Sequence, residues 1–434
     1  MKRNDCKKPA VTAALGKTAD YMRKSLPLAI LALILAALGA ALTIVGPGQI
    51  GKIATLMSAG LTGRIDLAAI ARLGIVLVVI YLLSAAFTFV QHYIMAVITL
   101  KMSYKMRGEL SEKINRVPQK YFNFHAQGDI LSRITNDVST LQQGLTNALP
   151  MIISSGTQFI GCVIMMLVTE WRLALAALAV TFVGLVLMAV IMGRSQKYFT
   201  KRQESLGALG GYIEEMYSGH TVVRLSRAEE AVGQEFDRLN AEVYDANWRS
   251  QFLSGVMQPL MSIISNIDYV AVCVLGAAMA LAGTIDFGVI VAFILYVRLL
   301  TSPLTQIAQG LTNLQTASAS AHRIFEFLEE EALPDEHEKT ERLPDVRGAV
   351  SFRHVQFRYP DAPDKPVIRD FSAEVQPGQK VAIVGPTGAG KTTMVNLLMR
   401  FYELTGGEIR IDNVPISDLP RKRVHELFGM VLQD

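Results

Sequence analysis

Gly385-Pro386-Thr387-Gly388-Ala389-Gly390-Lys391-Thr392 follows Lys380-Val381-Ala382-Ile383-Val384 and leads into 393–401, a helical run. The spacing is GxxxxGK[ST] in a strand, loop and helix setting. Each residue type has a physical reason to be there. Glycines let backbone N–H groups wrap phosphate oxygens with no Cβ in the way. The start of a helix adds the positive end of its dipole. Lys391 supplies a point charge for β- and γ-phosphates, and the Thr392 hydroxyl is a ligand for Mg²⁺. The stretch therefore predicts an α/β phosphate-binding fold, with 380–384 as a short buried strand.

Outward from the loop, residues 350–359 alternate as a strand and 406–412 form a second one. Tyr359 lies 26 residues before Gly385. Further upstream, 322–347 is acidic and poor in apolar residues, with Glu326, Glu329, Glu330, Glu331, Asp335, Glu336 and Glu338. It reads as the end of a helix followed by a solvated linker.

Upstream of residue 317 the chain changes character. Of its 434 residues, 51% are hydrophobic and only 18% charged, against about 25% charged in soluble domains. The apolar excess is concentrated in 28–47, 74–98, 149–168, 173–193, 260–282 and 288–310. A bilayer crossing takes about 20 such residues, so six spans are expected rather than six buried core helices. The first run is too long for a signal peptide and has no small-residue cleavage site. The net charge of +4 gives no reason to expect a nucleic-acid partner. Cys6, Cys162 and Cys273 are too few and too far apart for a disulfide framework or a CxxC-type zinc site.

Lys and Arg number 22 in the 133 residues of segments 1–26, 101–148 and 194–252, and 4 in the 32 residues of 50–73, 169–172 and 284–287. The totals follow the positive-inside rule but the densities do not separate. The phosphate loop orients the chain better. It must face cytosolic nucleotide, and six spans put the N-terminus on the same side. The two inner connections run to about 50 residues and read as helix: Met102, Met106, Leu110 and Ile114 recur every four residues. At about 1.5 Å per residue such helices extend tens of Å past the bilayer.

The order of Tyr359, the phosphate loop, Gly406–Ile411, Leu419-Pro420 and 429–434 resembles the ATP-binding domain of ABC transporters. That resemblance implies that Tyr359 stacks on adenine and that Gln433 touches both Mg²⁺ and the membrane domain. The implied ATP-binding set is Tyr359, Gly385, Pro386, Thr387, Gly388, Ala389, Gly390, Lys391, Thr392, Thr393 and Gln433, with Thr392 and Gln433 on Mg²⁺. Residues 115–138, NRVPQKYFNFHAQGDILSRITNDV, are similar to the first cytosolic loop of the family's exporters, with a coupling helix expected near 121–127. Residues 211–223, GYIEEMYSGHTVV, are similar to the second loop. The chain most resembles one half of the bacterial heterodimeric multidrug exporters, and departs from them at Arg224-Leu225-Ser226-Arg227.

The expected architecture is a cytosolic segment (1–26), an all-α six-span membrane domain with long cytosolic extensions (27–317), a linker (318–347) and the first part of an α/β P-loop nucleotide-binding domain (348–434). The resemblance implies an exporter subunit in the cell membrane with both termini cytosolic. It moves small-molecule cargo across the lipid bilayer and needs a second half-transporter. Inside the spans Asp268, with Asn266 and Arg298, is a candidate for the cargo path, because ionisable groups in the bilayer are costly. Asp268 reads equally well as a packing residue hydrogen-bonded to Asn266 or a neighbouring helix. Gln91 and His92 read as packing, and so do the span methionines. The family's LSGGQ-like signature, Mg²⁺-binding Asp, catalytic Glu and switch His do not occur in residues 1–434. The expectation is a fragment with no general base and an open sheet edge, incomplete for hydrolysis. The alternative is a non-catalytic subunit that pairs with, or inhibits, a complete partner.

Overall fold

The computed structural model describes residues 9–60, 65–336, 339, 346–360 and 362–431. Twelve α-helices and four strands are found among them. Six long segments are apolar enough to cross a membrane: 23–60, 67–116, 127–169, 171–218, 229–281 and 287–329. The principal helices in these segments are α2 (Leu26–Gly60), α3 (Leu67–Arg116), α6 (Val138–Thr169), α7 (Trp171–Ser218), α9 (Glu229–Leu281) and α10 (Phe287–Glu329). Helix α3 has 50 residues, about 75 Å at 1.5 Å per residue, more than twice a hydrocarbon core of about 30 Å. Shorter helices are α1 (Pro9–Tyr21), α4 (Gln119–Phe124), α5 (Gln127–Ser132), α8 (His220–Leu225), α11 (Lys391–Leu398) and α12 (Arg421–Leu427).

The chain forms two compact units. The first comprises residues 22–99 and 143–316. Its core gathers Ile44, Cys162, Met166, Phe293, Tyr296 and Leu300, while Ile75, Phe89, Phe182 and Val274 stay largely exposed. A bundle surrounded by lipid has this pattern, because outward apolar side chains need no protein cover there. Helices α7 and α9 run antiparallel. Thr181 meets Asp268, Gly184 faces Ile264, and the Tyr212 hydroxyl donates to Val232 O at 2.9 Å. Helices α2 and α10 approach so closely that a Cβ on Gly288 would fall 2.0 Å from Gly51 O.

The second unit comprises residues 1–21, 100–142 and 317–434. It contains the four-stranded antiparallel sheet β2-β1-β3-β4, formed by β1 (Val350–Arg358), β2 (Pro366–Val375), β3 (Gly406–Ile411) and β4 (Val414–Pro415). Val355, Phe357, Ile409 and Ile411 share a core with Met394 and Leu397 of α11 and Val424 of α12. The two-residue turn Asp412-Asn413, both at positive φ, has the type I′ signs that suit a hairpin. The Asp412 carboxylate accepts the N–H groups of Arg347, Gly348 and Ala349 at 2.8, 3.2 and 2.9 Å. Desolvation would raise its pKa, but these N–H donors hold it below the usual range.

Two expectations need correction. Residues 380–384 form no strand, and Val381, Ile383 and Val384 are 56, 48 and 87% exposed. A strand exists only through its ladder, and no described segment pairs with this one. The acidic stretch is also more than a solvated charge run. Glu326 reaches Arg133, Glu331 pairs with Lys120 at 3.1 Å, and Glu329 pairs with Lys17. Glu336 binds Arg400, Arg421 and Lys339 at 3.1, 2.7 and 3.1 Å.

Candidate nucleotide site and membrane carboxylate

The phosphate loop is open to solvent over 385–389. Gly388 and Gly390 have φ of +84° and +89°, values that an L side chain rarely adopts. Gly390 is the N-cap of α11, so the left-handed turn aims the loop into the start of the helix. Lys391 Nζ donates to Gly385 O and Pro386 O at 2.7 and 2.9 Å. Thr392 is exposed in the first turn, while Thr393 is buried and meets the Tyr359 hydroxyl at 3.0 Å. The structure thus brings Tyr359 to the side of α11 that carries the loop. Gln433 lies outside the described residues.

Sequence reading missed what surrounds Tyr359. Its ring packs edge-on against Phe357 and Tyr402, with centroids 4.9 and 5.3 Å apart. The Asn123 amide of α4 donates to the Tyr402 hydroxyl at 2.8 Å. The only sequence signal was an aromatic pair, Phe401-Tyr402, at the end of the helical run. Arg400 ends α11 in a left-handed conformation (φ +56°). Phe401 N bonds Asn396 O and Arg400 N bonds Leu397 O, which is a Schellman cap closed without glycine. The Arg400 guanidinium is anchored by Glu336, Glu403 and Leu419 O. The short helix expected near 121–127 is α4 at 119–124, a few residues earlier, with Pro118 at its N-cap position. Tyr121 seats it on Phe327, centroids 5.6 Å apart. The second short helix, α8, follows 211–219, with Val222 and Leu225 largely exposed.

In the membrane unit the three polar candidates do not converge. Asp268 is 2% exposed, accepts from the Thr181 hydroxyl at 3.0 Å through Oδ2, and has no partner at Oδ1 among the described residues. Asn266 and Arg298 are exposed. Gln91 is buried with Nε2 unpartnered, and exposed His92 bonds Thr88 O of its own helix.

Six apolar spans joined to a P-loop region with a small antiparallel sheet define a multi-pass, ATP-binding membrane protein. Residues 29–304 match the ABC transporter transmembrane region and 368–434 match the ABC transporter family. The chain belongs to the ABC transporter family. It is 40% identical over 371 residues to a fatty acid ABC transporter ATP-binding/permease protein of Mycobacterium bovis, covering 85% of this chain and 58% of that protein. It is 32% identical over 415 residues to the uncharacterized ABC transporter ATP-binding protein YfiC of Bacillus subtilis, covering 96% of this chain and 68% of that one. A multidrug resistance ABC transporter ATP-binding and permease protein of Lactococcus lactis is 29% identical over 358 residues, covering 82% and 60%. The chain thus spans just under three fifths of its mycobacterial relative.

Proposed function

We propose that these residues are the membrane domain and the phosphate-loop portion of an ATP-driven exporter of amphiphilic small molecules, located in a bacterial cell membrane with both termini cytosolic. The observation that carries the reading is the phosphate loop turning through left-handed Gly390 into α11, in a chain with six spans. The loop fits a polyphosphate. It is exposed, two of its glycines take turns closed to other residues, and Lys391 with the open Thr392 hydroxyl supplies the donor and metal-ligand set. Tyr359 offers a flat ring beside it for the base, Thr393 adds a hydroxyl, and Gln433 is assigned to Mg²⁺ by resemblance alone. When bound, Mg-ATP would supply the differential binding energy that shifts the spans between inward- and outward-open states.

Cargo class follows from the relatives, whose names include fatty acid, multidrug and lipid A-core substrates. Fatty acids and lipid A-core are amphiphiles. A second half-transporter is the proposed partner, and the exposed apolar side chains of Val222 and Leu225 on α8 support a docking role. The domain limits proposed are 1–26, 27–317, 318–347 and 348–434. Lys391→Ala in the full-length protein, with its partner, in proteoliposomes is the test. ATP turnover and export should both collapse, and unchanged turnover would defeat the assignment.

A further inference from the structure

The six apolar runs 28–47, 74–98, 149–168, 173–193, 260–282 and 288–310 contain a single Lys or Arg, Arg298, and a single Asp or Glu, Asp268. A Cβ on Gly276 of α9 would lie 3.0 Å from Ile290 Cγ1 of α10. Counting back along α9 and forward along α10 from that contact brings Asp268 and Arg298 to a similar depth. They do not pair. Asp268 is buried against Thr181 of α7, while Arg298 is exposed and makes no hydrogen bond or ion pair among the described residues. Arg298 stands about 16 Å along α10 from Phe287 at 1.5 Å per residue, near the middle of a hydrocarbon core of about 30 Å. Snorkelling to the interface serves residues near helix ends, so a guanidinium at this depth needs water or an anion. Arg298, Ser302, Thr305, Gln309, Thr312 and Thr316 are all exposed and follow at alternating steps of four and three, so they share one helix face. The other face packs Phe293, Tyr296 and Leu300 into the core. Exposed positions on α3, α7 and α9 include apolar Ile75, Phe182 and Val274. Lipid accepts those side chains but not the α10 stripe, which therefore lines a polar path.

We infer that Arg298 is a specificity-determining residue that binds the carboxylate head of an amphiphilic cargo midway across the membrane. The protein then selects anionic amphiphiles over neutral and cationic ones. The inference rests on the proposed exporter reading and narrows its cargo class. A guanidinium presents a planar fork that matches the two oxygens of a carboxylate. The single cation in the runs balances a single negative charge. A phosphate monoester, with a charge of about −1.5 to −2, would be left partly uncompensated. The hydroxyls and amide from Ser302 to Thr316 extend the polar face by about 27 Å from Arg298. They offer hydrogen bonds to a head group on its way to the guanidinium. Asp268 faces α7 and leaves the charge of Arg298 unneutralised.

The test uses the full-length protein with its partner in lipid nanodiscs, at alkaline pH where a fatty acid is ionised. Fluorescence of anthroyloxy-stearate reads binding of the acid, and its methyl ester is the neutral control. Wild type should bind the acid about ten-fold more tightly than the ester, the effect of one charge-assisted hydrogen bond. Arg298→Gln should abolish this preference and leave ester affinity within about two-fold. Arg298→Lys should keep about a three-fold preference, because a point charge replaces the fork. The ratio of acid to ester cancels partitioning into lipid and any loss of folded protein, so a destabilised variant still gives a result. An unchanged preference in Arg298→Gln would overturn the inference, and a lowered melting temperature beside it would assign Arg298 to an ion pair with the partner half. Equal binding of the acid, the ester and a matching trimethylammonium amphiphile by wild type would overturn it too. So would tighter binding of a matching phosphate monoester than of the acid. Binding of none of these amphiphiles by a protein that still hydrolyses ATP would instead sink the exporter reading itself, which keeps the two failures apart.

Discussion

The buried guanidinium of Arg400, 5% exposed, lies 3.1 Å from the carboxylate of Glu336, sixty-four residues earlier in the chain. Arg400 occupies the left-handed cap position after α11, where a side chain with a Cβ is strained. That conformation persists because Glu336, Glu403 and Leu419 O fix the guanidinium from three directions. Glu336 also accepts from Arg421 N and binds Lys339. A stretch that reads as a linker therefore closes the helix carrying the phosphate loop.

Glu336→Ala should lower stability by about 1–3 kcal/mol, since one partner of a mostly buried ion pair is lost while Glu403 and a carbonyl remain. Glu336→Gln should cost less. Differential scanning fluorimetry of the detergent-solubilised protein measures both. An unchanged melting temperature for the Ala variant would show that Glu403 alone secures Arg400.

The same carboxylate sets a pH dependence. Burial alone would raise the Glu336 pKa, but the Arg421 N–H, Lys339 and the two guanidinium groups outweigh it and hold the carboxyl below its ordinary value of 4.5. A pKa lowered by folding contributes stability that is complete above the unfolded value and is lost as pH falls through the folded one. The Glu336 contribution should be constant from pH 7 to about 5 and decline below about 4.5. Melting temperatures of wild type and Glu336→Gln should converge in that acid range. A gap that stays constant down to pH 3.5 would contradict the linkage.

The sequence showed the spans, the phosphate loop and the two central strands, β1 and β3, because each rests on a local signal: hydropathy over 20 residues, a fixed glycine spacing, or a short strand-like run. Glu336 and Tyr402 were not legible because their roles depend on partners 64 and 279 residues away, at Arg400 and Asn123. Residues 380–384 failed in the opposite way. The apolar run is what a buried parallel strand would carry, but apolar sequence does not supply the neighbouring strands that define one. Asp268 could be identified as costly from sequence, whereas its partner could not. Thr181 on α7 donates to its Oδ2, while nearby Asn266 is exposed.

Asp268 can be tested by separating stability from transport. Its Oδ1 is buried without a partner, and Asp268→Leu removes that polar atom from an apolar setting. The variant should be as stable as wild type or gain about 1 kcal/mol, and should lose export of a fluorescent amphiphile, the proposed cargo class. Thr181→Val should cost about 0.6 kcal/mol, the average for an interhelical hydrogen bond in a bilayer. A destabilised Leu variant with normal export would assign Asp268 to packing between α7 and α9.

Gly390 bears on the nucleotide site alone. At φ +89°, with Val367 Cγ1 3.3 Å from where a Cβ would be, alanine is strained by about 1–2 kcal/mol. The strain falls on the turn that aims the loop into α11. Gly390→Ala should therefore weaken trinitrophenyl-ATP binding by about ten-fold while the spans remain folded by circular dichroism. Binding within two-fold of wild type would mean that the loop tolerates another turn.

Two helix glycines make a paired test of the α2–α10 contact. A Cβ on Gly288 would lie 2.0 Å from Gly51 O and 2.2 Å from Thr55 Oγ1. The backbones must separate to admit it, at a cost near the upper end of the about 1–3 kcal/mol typical of overpacking. Gly108 in α3 has nothing within 4 Å of the same position. There alanine should stabilise by about 0.5–1 kcal/mol, because glycine is a poor helix residue. Thermal unfolding of the two variants side by side separates helix propensity from close approach. Gly288→Ala should melt well below wild type and Gly108→Ala slightly above it. A Gly288→Ala protein that melts with wild type would show that α2 and α10 do not meet at Gly51.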